Sequence, residues 1–207
     1  MAGSGPLKYE IINLALSHLG QKPLTSVTDA ALATENTVQA KAALRVWDAC
    51  LRDTLADRDW GFATVNEFVL QEATYSTVNY DYAYTYPSIC IALWRVYTTE
   101  TTKKDLGEIF EVVYDYAGSQ QLILTDQEDA YARFTYYLID TTRFSPKFVM
   151  ALSHKLAAAL AIPLNGKEEQ AKAELAVYNV VLSEAQRISS YEKNEAKSTS
   201  NPFVDAR

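Results

Sequence analysis

The spacing of apolar residues predicts a long amphipathic helix that begins near Asn36 and ends before an aromatic corner at 59–63. Apolar or small side chains recur every third or fourth position, which is the period of an α-helix. This stripe consists of Ala40, Ala43, Leu44, Trp47, Cys50, Leu51, Thr54 and Leu55. The opposite side is charged and carries Lys41, Arg45, Asp48 and Arg52. Asn36 and Gln39 have capping-box spacing, and Trp60 and Phe62 are large apolar anchors for the corner.

Three further helices are predicted. The first covers 7–19 and ends at Gly20. The next begins after Ser145, with Pro146 at its first position, and is ended by Pro163 and Gly166. The last covers 167–191, and its inner stripe is predicted to be Ala171, Leu175, Tyr178, Leu182 and Ala185. Three valines lie off that stripe and predict a partner surface: Val177, Val180 and Val181.

Between residues 62 and 139 the pattern changes to the period of two that is typical of strands. Tyr80, Tyr82, Tyr84 and Tyr86 alternate with other residues until Pro87, so they are predicted to share one face of a strand. That face is either packed in a sheet or part of an interface with another subunit, and the sequence favours neither. Further strands are predicted at 64–70, 93–98 and 131–139, and 110–114 and 121–125 are predicted to pair as a hairpin.

These elements predict an α+β protein with three parts. Residues 7–61 and 145–191 form an antiparallel bundle of three to four long helices, and residues 62–144 form an inserted antiparallel β region. Residues 192–207 form an extended C-terminal arm, because they are polar until a short apolar hook near the end. The residues assigned to partner binding by this arm are Tyr191, Asn201, Pro202, Phe203 and Val204. A frayed tail without a partner is the alternative.

Composition excludes several classes of function. The 207 residues include 19 Lys and Arg against 26 Asp and Glu, which gives a formal net charge of −7. Proteins that hold DNA by its phosphates are usually basic, so specific nucleic-acid binding is not expected. No stretch has the 18 or so uncharged apolar residues of a membrane helix, so no membrane is expected as a partner. The two cysteines, Cys50 and Cys90, are predicted to be buried free thiols.

No catalytic site, metal site or cofactor is predicted. His18 and His154 fall on different predicted helices, and residue spacing places no carboxylate or third ligand beside either of them. The chain has no G-x-S-x-G motif, Walker loop or G-x-G-x-x-G motif. Three carboxylates at 126–129 are interpreted as a solvated acidic turn. We therefore expect a protein that is not an enzyme.

Several motifs, taken in order, resemble one family. They lie between Leu7 and Ile188 and comprise 15–20 (ALSHLG), 59–63 (DWGFA), 82–87 (YAYTYP) with Cys90, 122–126 (LILTD), 144–148 (FSPKF) and 156–158 (LAA). Together they are similar to tail tubular protein A, the head–tail adaptor of short-tailed bacteriophages (podoviruses). Each motif alone is unspecific, and their order and spacing carry the resemblance.

The resemblance implies a structural virion protein at the head–tail junction, made in the bacterial cytoplasm. It implies a dodecameric ring beneath the portal protein that continues the DNA channel, with DNA passing through the lumen without specific binding. The C-terminal arm would grip the portal, and the distal face would receive the nozzle (tubular protein B) and, in some phages, tail fibres. The adaptor would take part in genome retention and ejection, and the isolated chain is expected to be monomeric.

Two other functions remain open at this point. One is a non-viral helical adaptor that binds a cellular protein. The other is a hydrolase with an unrecognised site, which would require a cleft where His18 or His154 meets carboxylates. The net charge of −7 adds a hypothesis to the adaptor reading, namely that an acidic lumen repels DNA phosphates and keeps passage low in friction.

Overall fold

The computed structural model describes residues 5–98 and 109–193, with side chains through Ala185 in the last helix. Within this part, the chain has five α-helices and two small antiparallel sheets of three strands each, which confirms the predicted α+β class. The chain divides into two compact units. The helical unit contains the residues up to Trp47 and those from Phe144 onward, and the β-rich unit is Asp48–Arg143. The first boundary therefore falls inside a helix, earlier than the predicted boundary at Gly61.

The helices are α1 (Lys8–His18), α2 (Asp29–Leu32), α3 (Val38–Ala56), α4 (Pro146–Asn165) and α5 (Glu168–Lys193). Gly20 follows α1 with a φ of 66°, a left-handed conformation that glycine adopts without strain. The short α2 was not predicted, and it begins where the Thr28 hydroxyl accepts a hydrogen bond from the Ala31 N–H at 3.2 Å.

The loop after α2 is held by the Glu35 carboxylate. This group accepts hydrogen bonds from the Ser26 N–H at 2.9 Å, from the Ser26 hydroxyl, and from the Thr37 hydroxyl at 2.8 Å. The Ser26 hydroxyl is the largest cause that lowers the pKa of Glu35 to about 2. Glu35 therefore stays ionised in the folded protein at pH values where a free glutamate is protonated.

The predicted stripe of α3 is confirmed by burial, because Ala43, Leu51 and Leu55 have no exposed surface. The helix is shorter than predicted at both ends. Thr37 caps it instead of Asn36, since the Thr37 hydroxyl accepts from the Ala40 N–H at 3.2 Å. After Ala56 the chain turns so that the Trp60 indole N–H donates to the Thr54 carbonyl at 2.8 Å, and the corner continues as a 3-10 turn.

The helical unit has its core around α4, which packs against α1 and α5. Fully buried side chains from the three helices include Ile11, Ile12, Leu16, Phe148, Leu152, Leu156, Leu160 and Tyr178. Gly166 ends α4 as predicted, with a φ of 64°. Pro163 does not contribute to this end, because it lies inside the helix. The expected Ser145 cap and Pro146 at the first position are confirmed.

One helix, α4, is long and apolar enough to cross a membrane by length and composition. In this structure 56% of its most apolar window is buried inside the protein. A core helix of a globular protein has the same combination of length and apolar character.

The strands are β1 (Thr64–Val69), β2 (Tyr82–Thr85), β3 (Cys90–Tyr97), β4 (Phe110–Asp115), β5 (Gln120–Thr125) and β6 (Tyr131–Tyr136). Their order is β1-β6-β3 in one sheet and β2-β5-β4 in the other. The predicted hairpin is confirmed, with Phe110 opposite Thr125 and Tyr114 opposite Gln121. The first sheet contains a bulge near Glu67, whose φ is 56° and whose N–H donates to the Tyr97 hydroxyl at 2.7 Å.

Side chains from both sheets form one apolar cluster in the β-rich unit. Its buried members are Leu70, Tyr84, Val96, Ile123, Ala130, Ala132 and Phe134. The central strand β5 is buried on both faces, because Ile123 joins this cluster while Leu122 and Leu124 form a second cluster with Ala83. The alternation follows from the period of two along a strand.

Candidate functional site

Three chemically active side chains meet inside the helical unit. His18 ends α1, His154 lies in α4, and Glu174 lies in α5. The two imidazole rings stack with centroids 4.1 Å apart and planes 14° from parallel. His154 Nδ1 lies 2.7 Å from Glu174 Oε2, and one ligand atom from each of the three residues lies within 4.8 Å of the others. We call these three residues the histidine cluster.

The hydrogen bonds around the histidine cluster define which ring nitrogens carry protons. The Ser153 hydroxyl donates its proton to the Met150 carbonyl at 2.8 Å. It therefore accepts from His18 Nε2–H, which lies 3.1 Å away. His154 Nδ1–H donates to the Glu174 carboxylate in the same way. In its neutral form, His18 then holds its lone pair on Nδ1.

The histidine cluster is mostly shielded from water. The side chains of His154 and Glu174 expose 10% and 15% of their surface. Burial is the largest cause that lowers the pKa of His18, the neighbouring His154 lowers it further, and Glu174 opposes both. His18 is consequently a neutral ring at neutral pH, which is the form that accepts a proton or binds a metal.

The same residue types occur in enzymes that use a serine nucleophile, a histidine base and an orienting carboxylate. Here Ser153 has no exposed surface, and its proton is already committed to the Met150 carbonyl. A substrate does not reach this hydroxyl in the conformation observed. The arrangement is better suited to holding a proton or a metal ion than to attacking a substrate.

Residue spacing predicted no third ligand near either histidine, and the position of Glu174 corrects this expectation. Glu174 is 20 residues from His154, so no short motif joins them. The turn at Gly166 predicts that the two helices are antiparallel neighbours, but it does not specify which residues meet, because His154 lies 12 residues before Gly166 and Glu174 lies 8 residues after it.

The outer face of α5 is the second candidate site. The inner stripe is confirmed for Tyr178, Leu182 and Ala185, which expose 1%, 6% and 7% of their surface. Leu175 has the spacing of that stripe but is not buried, because 43% of its surface is exposed. As the pattern predicted, Val177 and Val180 lie outside the inner stripe, with 42% and 58% exposed.

Val181 differs from the other two valines, because it is only partly exposed. Val180 also lines an open depression together with Asn179, Ser183 and Glu184. Val177 and Val180 are three residues apart, so their exposed side chains are neighbours on one side of the helix, and we call this pair the α5 outer face.

The four tyrosines that were predicted to share one face of a strand do not all lie in the strand. The strand is limited to Tyr82–Thr85, so Tyr80 and Tyr86 lie beyond its ends. Tyr84 is 3% exposed and belongs to the apolar cluster between the sheets, where its hydroxyl donates to the Gln127 carbonyl at 2.7 Å. Tyr82 and Tyr86 are partly buried against the same cluster, whereas Tyr80 packs against the second one. For Tyr84 the packed-sheet alternative therefore holds, and it offers no surface to a partner.

The remaining assigned residues lie at the C-terminal end. The backbone of Tyr191 is within α5, two residues before its end at Lys193, and its side chain is not described. Asn201, Pro202, Phe203 and Val204 lie outside the described residues. Their assignment to an arm that binds the portal stays a prediction.

A set of exposed apolar residues on and beside β4 was missed by the sequence analysis. Ile109, Val112, Tyr114 and Tyr116 expose between 42% and 90% of their surface. β4 is at one end of the β2-β5-β4 order. Part of the signal was available, because Val112, Tyr114 and Tyr116 recur at period two along the correctly predicted strand and just past its end, although Val113 interrupts the alternation with polar residues.

Both cysteines are free thiols, as predicted. Cys50 is buried and Cys90 is partly buried. The Cys90 thiol donates to the Tyr86 hydroxyl at 3.1 Å, and burial raises the pKa of Cys90 to about 11. A thiol with so high a pKa is a poor nucleophile at neutral pH.

Comparison with models of known protein families and with curated proteins gave no match to this chain. Inference about its function therefore draws on the chain's own residues and on the ordered motifs quoted above. The residues that bear on function most directly are the histidine cluster, the α5 outer face and the apolar residues around β4.

Proposed function

We propose that this chain is a structural protein of a short-tailed bacteriophage virion, an adaptor that joins the portal to the distal tail. In this role, copies assemble as a dodecameric ring that continues the DNA channel and takes part in genome retention and ejection. The observation that carries the proposal is the α5 outer face. The inner side of α5 packs in the core, and the outer face is a second apolar surface on the same helix.

The α5 outer face is better explained by a partner than by the core. Tyr178, Leu182 and Ala185 already bury the inner side of the helix. Val177 and Val180, three residues apart on another side of the helix, are each more than 40% exposed. Grouped apolar residues on an exposed helix are typical of an interface between proteins. We assign this face to contacts between neighbouring copies in the ring.

The exposed residues around β4 supply a second surface. Tyrosine is enriched at protein interfaces because its ring is large and apolar while its hydroxyl tolerates water. Tyr114 and Tyr116 are 61% and 90% exposed. We assign this surface to the distal partner, the nozzle or a tail fibre. Tyr80, Tyr82 and Tyr86 are partly buried, and we assign them a secondary part in the same interface.

Charge supports a channel through which DNA slides. With 26 acidic and 19 basic residues, the chain offers few cations to hold phosphates. Acidic side chains that face the lumen repel the DNA backbone and keep it from adhering. The helical bundle implied by the resemblance forms the wall of the ring in this proposal.

The C-terminal arm tests the proposal. A chain that ends after Tyr191 lacks Asn201, Pro202, Phe203 and Val204, and we expect it to lose binding to the portal protein. The entropic cost of ordering a polar arm is offset only by contacts with its partner, so the arm is not expected to stabilise the isolated chain. We therefore expect the truncated chain to stay folded. Co-sedimentation with purified portal measures binding, and circular dichroism verifies folding. Normal portal binding by the truncated, folded chain contradicts the proposal.

A hydrolase is the second candidate, and one observation favours it: the contact between His154 and Glu174 at 2.7 Å. That pair has the form of a general base with an orienting carboxylate. Release of fragments from purified cell wall or DNA by the wild-type chain, abolished in His154→Gln, supports this candidate. Equal turnover by both proteins, or none by either, removes it.

A further inference from the structure

The proposed adaptor role does not use the histidine cluster. His18, His154 and Glu174 come from three helices of the same unit, and each offers one ligand atom within 4.8 Å of the other two. Helices hold ligands more rigidly than loops do. The three side chains also lie in a region of low exposure, where His154 as a whole is only 8% exposed.

The hydrogen bonds show where an ion would enter. Ser153 accepts from His18 Nε2–H because its own proton goes to Met150, so a neutral His18 holds its lone pair on Nδ1. Glu174 accepts from His154 Nδ1–H at 2.7 Å, so an ion that both residues bind takes the place of this proton between Nδ1 and the carboxylate.

We propose that His18, His154 and Glu174 bind a divalent transition metal ion of the zinc class. Two imidazoles and one carboxylate form a ligand set that suits zinc, cobalt or nickel, whereas magnesium and calcium prefer sites made of oxygen atoms. Water completes the coordination. The proposal is independent of the adaptor role, because it concerns residues within one copy of the helical unit.

Binding requires a limited rearrangement of the side chains. The lone pairs of two imidazoles lie in their ring planes, and planes only 14° from parallel do not converge on one ion. Metal bonds of about 2.1 Å place the donor atoms roughly 3.4 Å apart, closer than the present limit of 4.8 Å. Rotation about the Cβ–Cγ bond of a histidine has a broad energy profile, so a ring leaves the stack without moving its helix.

A bound ion links α1, α4 and α5, since each helix supplies one ligand. A ligand that binds only the folded state stabilises it by mass action. At a hundredfold excess over the dissociation constant, this predicts a rise in melting temperature of about 6 °C.

The test uses the full untagged chain after treatment with a chelator. Zinc is titrated while the melting temperature is recorded, and cobalt is titrated while visible absorption is recorded. Because the chain has only two histidines, long-range ¹H–¹⁵N spectra of the imidazoles report on this site alone. We expect the melting temperature to rise, and one nitrogen of each ring to shift at one equivalent of zinc.

Two variants separate the site from general binding to surface carboxylates. Glu174→Gln removes one ligand and is expected to weaken zinc binding at least tenfold. Glu169→Gln, at an exposed position on the same helix, is expected to bind zinc as the wild type does. Unchanged imidazole spectra and an unchanged melting temperature of the wild-type chain overturn the proposal, whatever the variants do. Equal loss of binding in both variants also overturns it.

Discussion

Tyr84 provides the sharpest test of the β-rich unit, because its position in the core and a role at an interface predict opposite results. The Tyr84 side chain is 3% exposed. Its hydroxyl donates to the Gln127 carbonyl at 2.7 Å and accepts from the Ala130 N–H at 3.4 Å. Tyr84→Phe keeps the ring and removes both hydrogen bonds.

Loss of a partner by a buried polar group costs about 1–3 kcal/mol. One of the two bonds is long, so we expect the lower half of that range, about 1.5 kcal/mol. For a chain of this length the loss corresponds to a fall in melting temperature of about 4 °C. Tyr116→Phe is the matched control, since Tyr116 is 90% exposed and its substitution changes stability by less than about 0.5 kcal/mol.

Urea unfolding of the isolated chains, followed by tryptophan fluorescence and far-UV circular dichroism, measures both variants. Coincident transitions from the two probes establish that unfolding is two-state. If Tyr84→Phe leaves the free energy of unfolding unchanged while weakening attachment to a tail partner, Tyr84 is an interface residue and the packing described here is incorrect.

Three further predictions concern the α5 outer face, an acidic loop and a thiol. Val177→Thr with Val180→Thr keeps side-chain shape but places two hydroxyls in the proposed ring interface, so assembly on the portal, measured by sedimentation, is expected to weaken about 30-fold. The exposed Val27→Thr is the control, and equal weakening by both would contradict the assignment. The pKa of Glu35 is lowered to about 2, so the stability that it contributes is present above pH 4.5 and is lost as the pH falls toward 2. Glu35→Gln should flatten melting temperature against pH in that window, and parallel curves for variant and wild type would refute this. The raised pKa of Cys90, about 11, predicts that a thiol reagent at pH 8 reacts about a hundredfold more slowly than with a free cysteine, and reaction at the rate of the urea-unfolded chain would contradict it.

The elements that were predicted well are those with a strong local signal. The stripe of α3, the Ser145 cap and the hairpin between β4 and β5 each depend on residues that are close in sequence. The two sheets were not predicted, because β6 pairs with β1 and β3 through contacts between distant residues. The start of α3 was predicted one residue too early, because the Thr37 hydroxyl accepts the capping hydrogen bond from the Ala40 N–H.

The sites follow the same division. The exposed valines of α5 were found from helical period alone, since their distance from the inner stripe determines their exposure. The histidine cluster was missed, because His18, His154 and Glu174 meet only when three helices pack. The tyrosine row misled in part, because alternation places residues on one face but does not reveal whether another sheet covers that face.

The mass of the protein in solution, with and without purified portal, tests the adaptor proposal most directly. Light scattering on the full chain is expected to give a monomer alone and a large stoichiometric ring when portal is added. An unchanged monomer in the presence of portal would contradict the proposal, and attention would then turn to the apolar residues around β4 and to the histidine cluster.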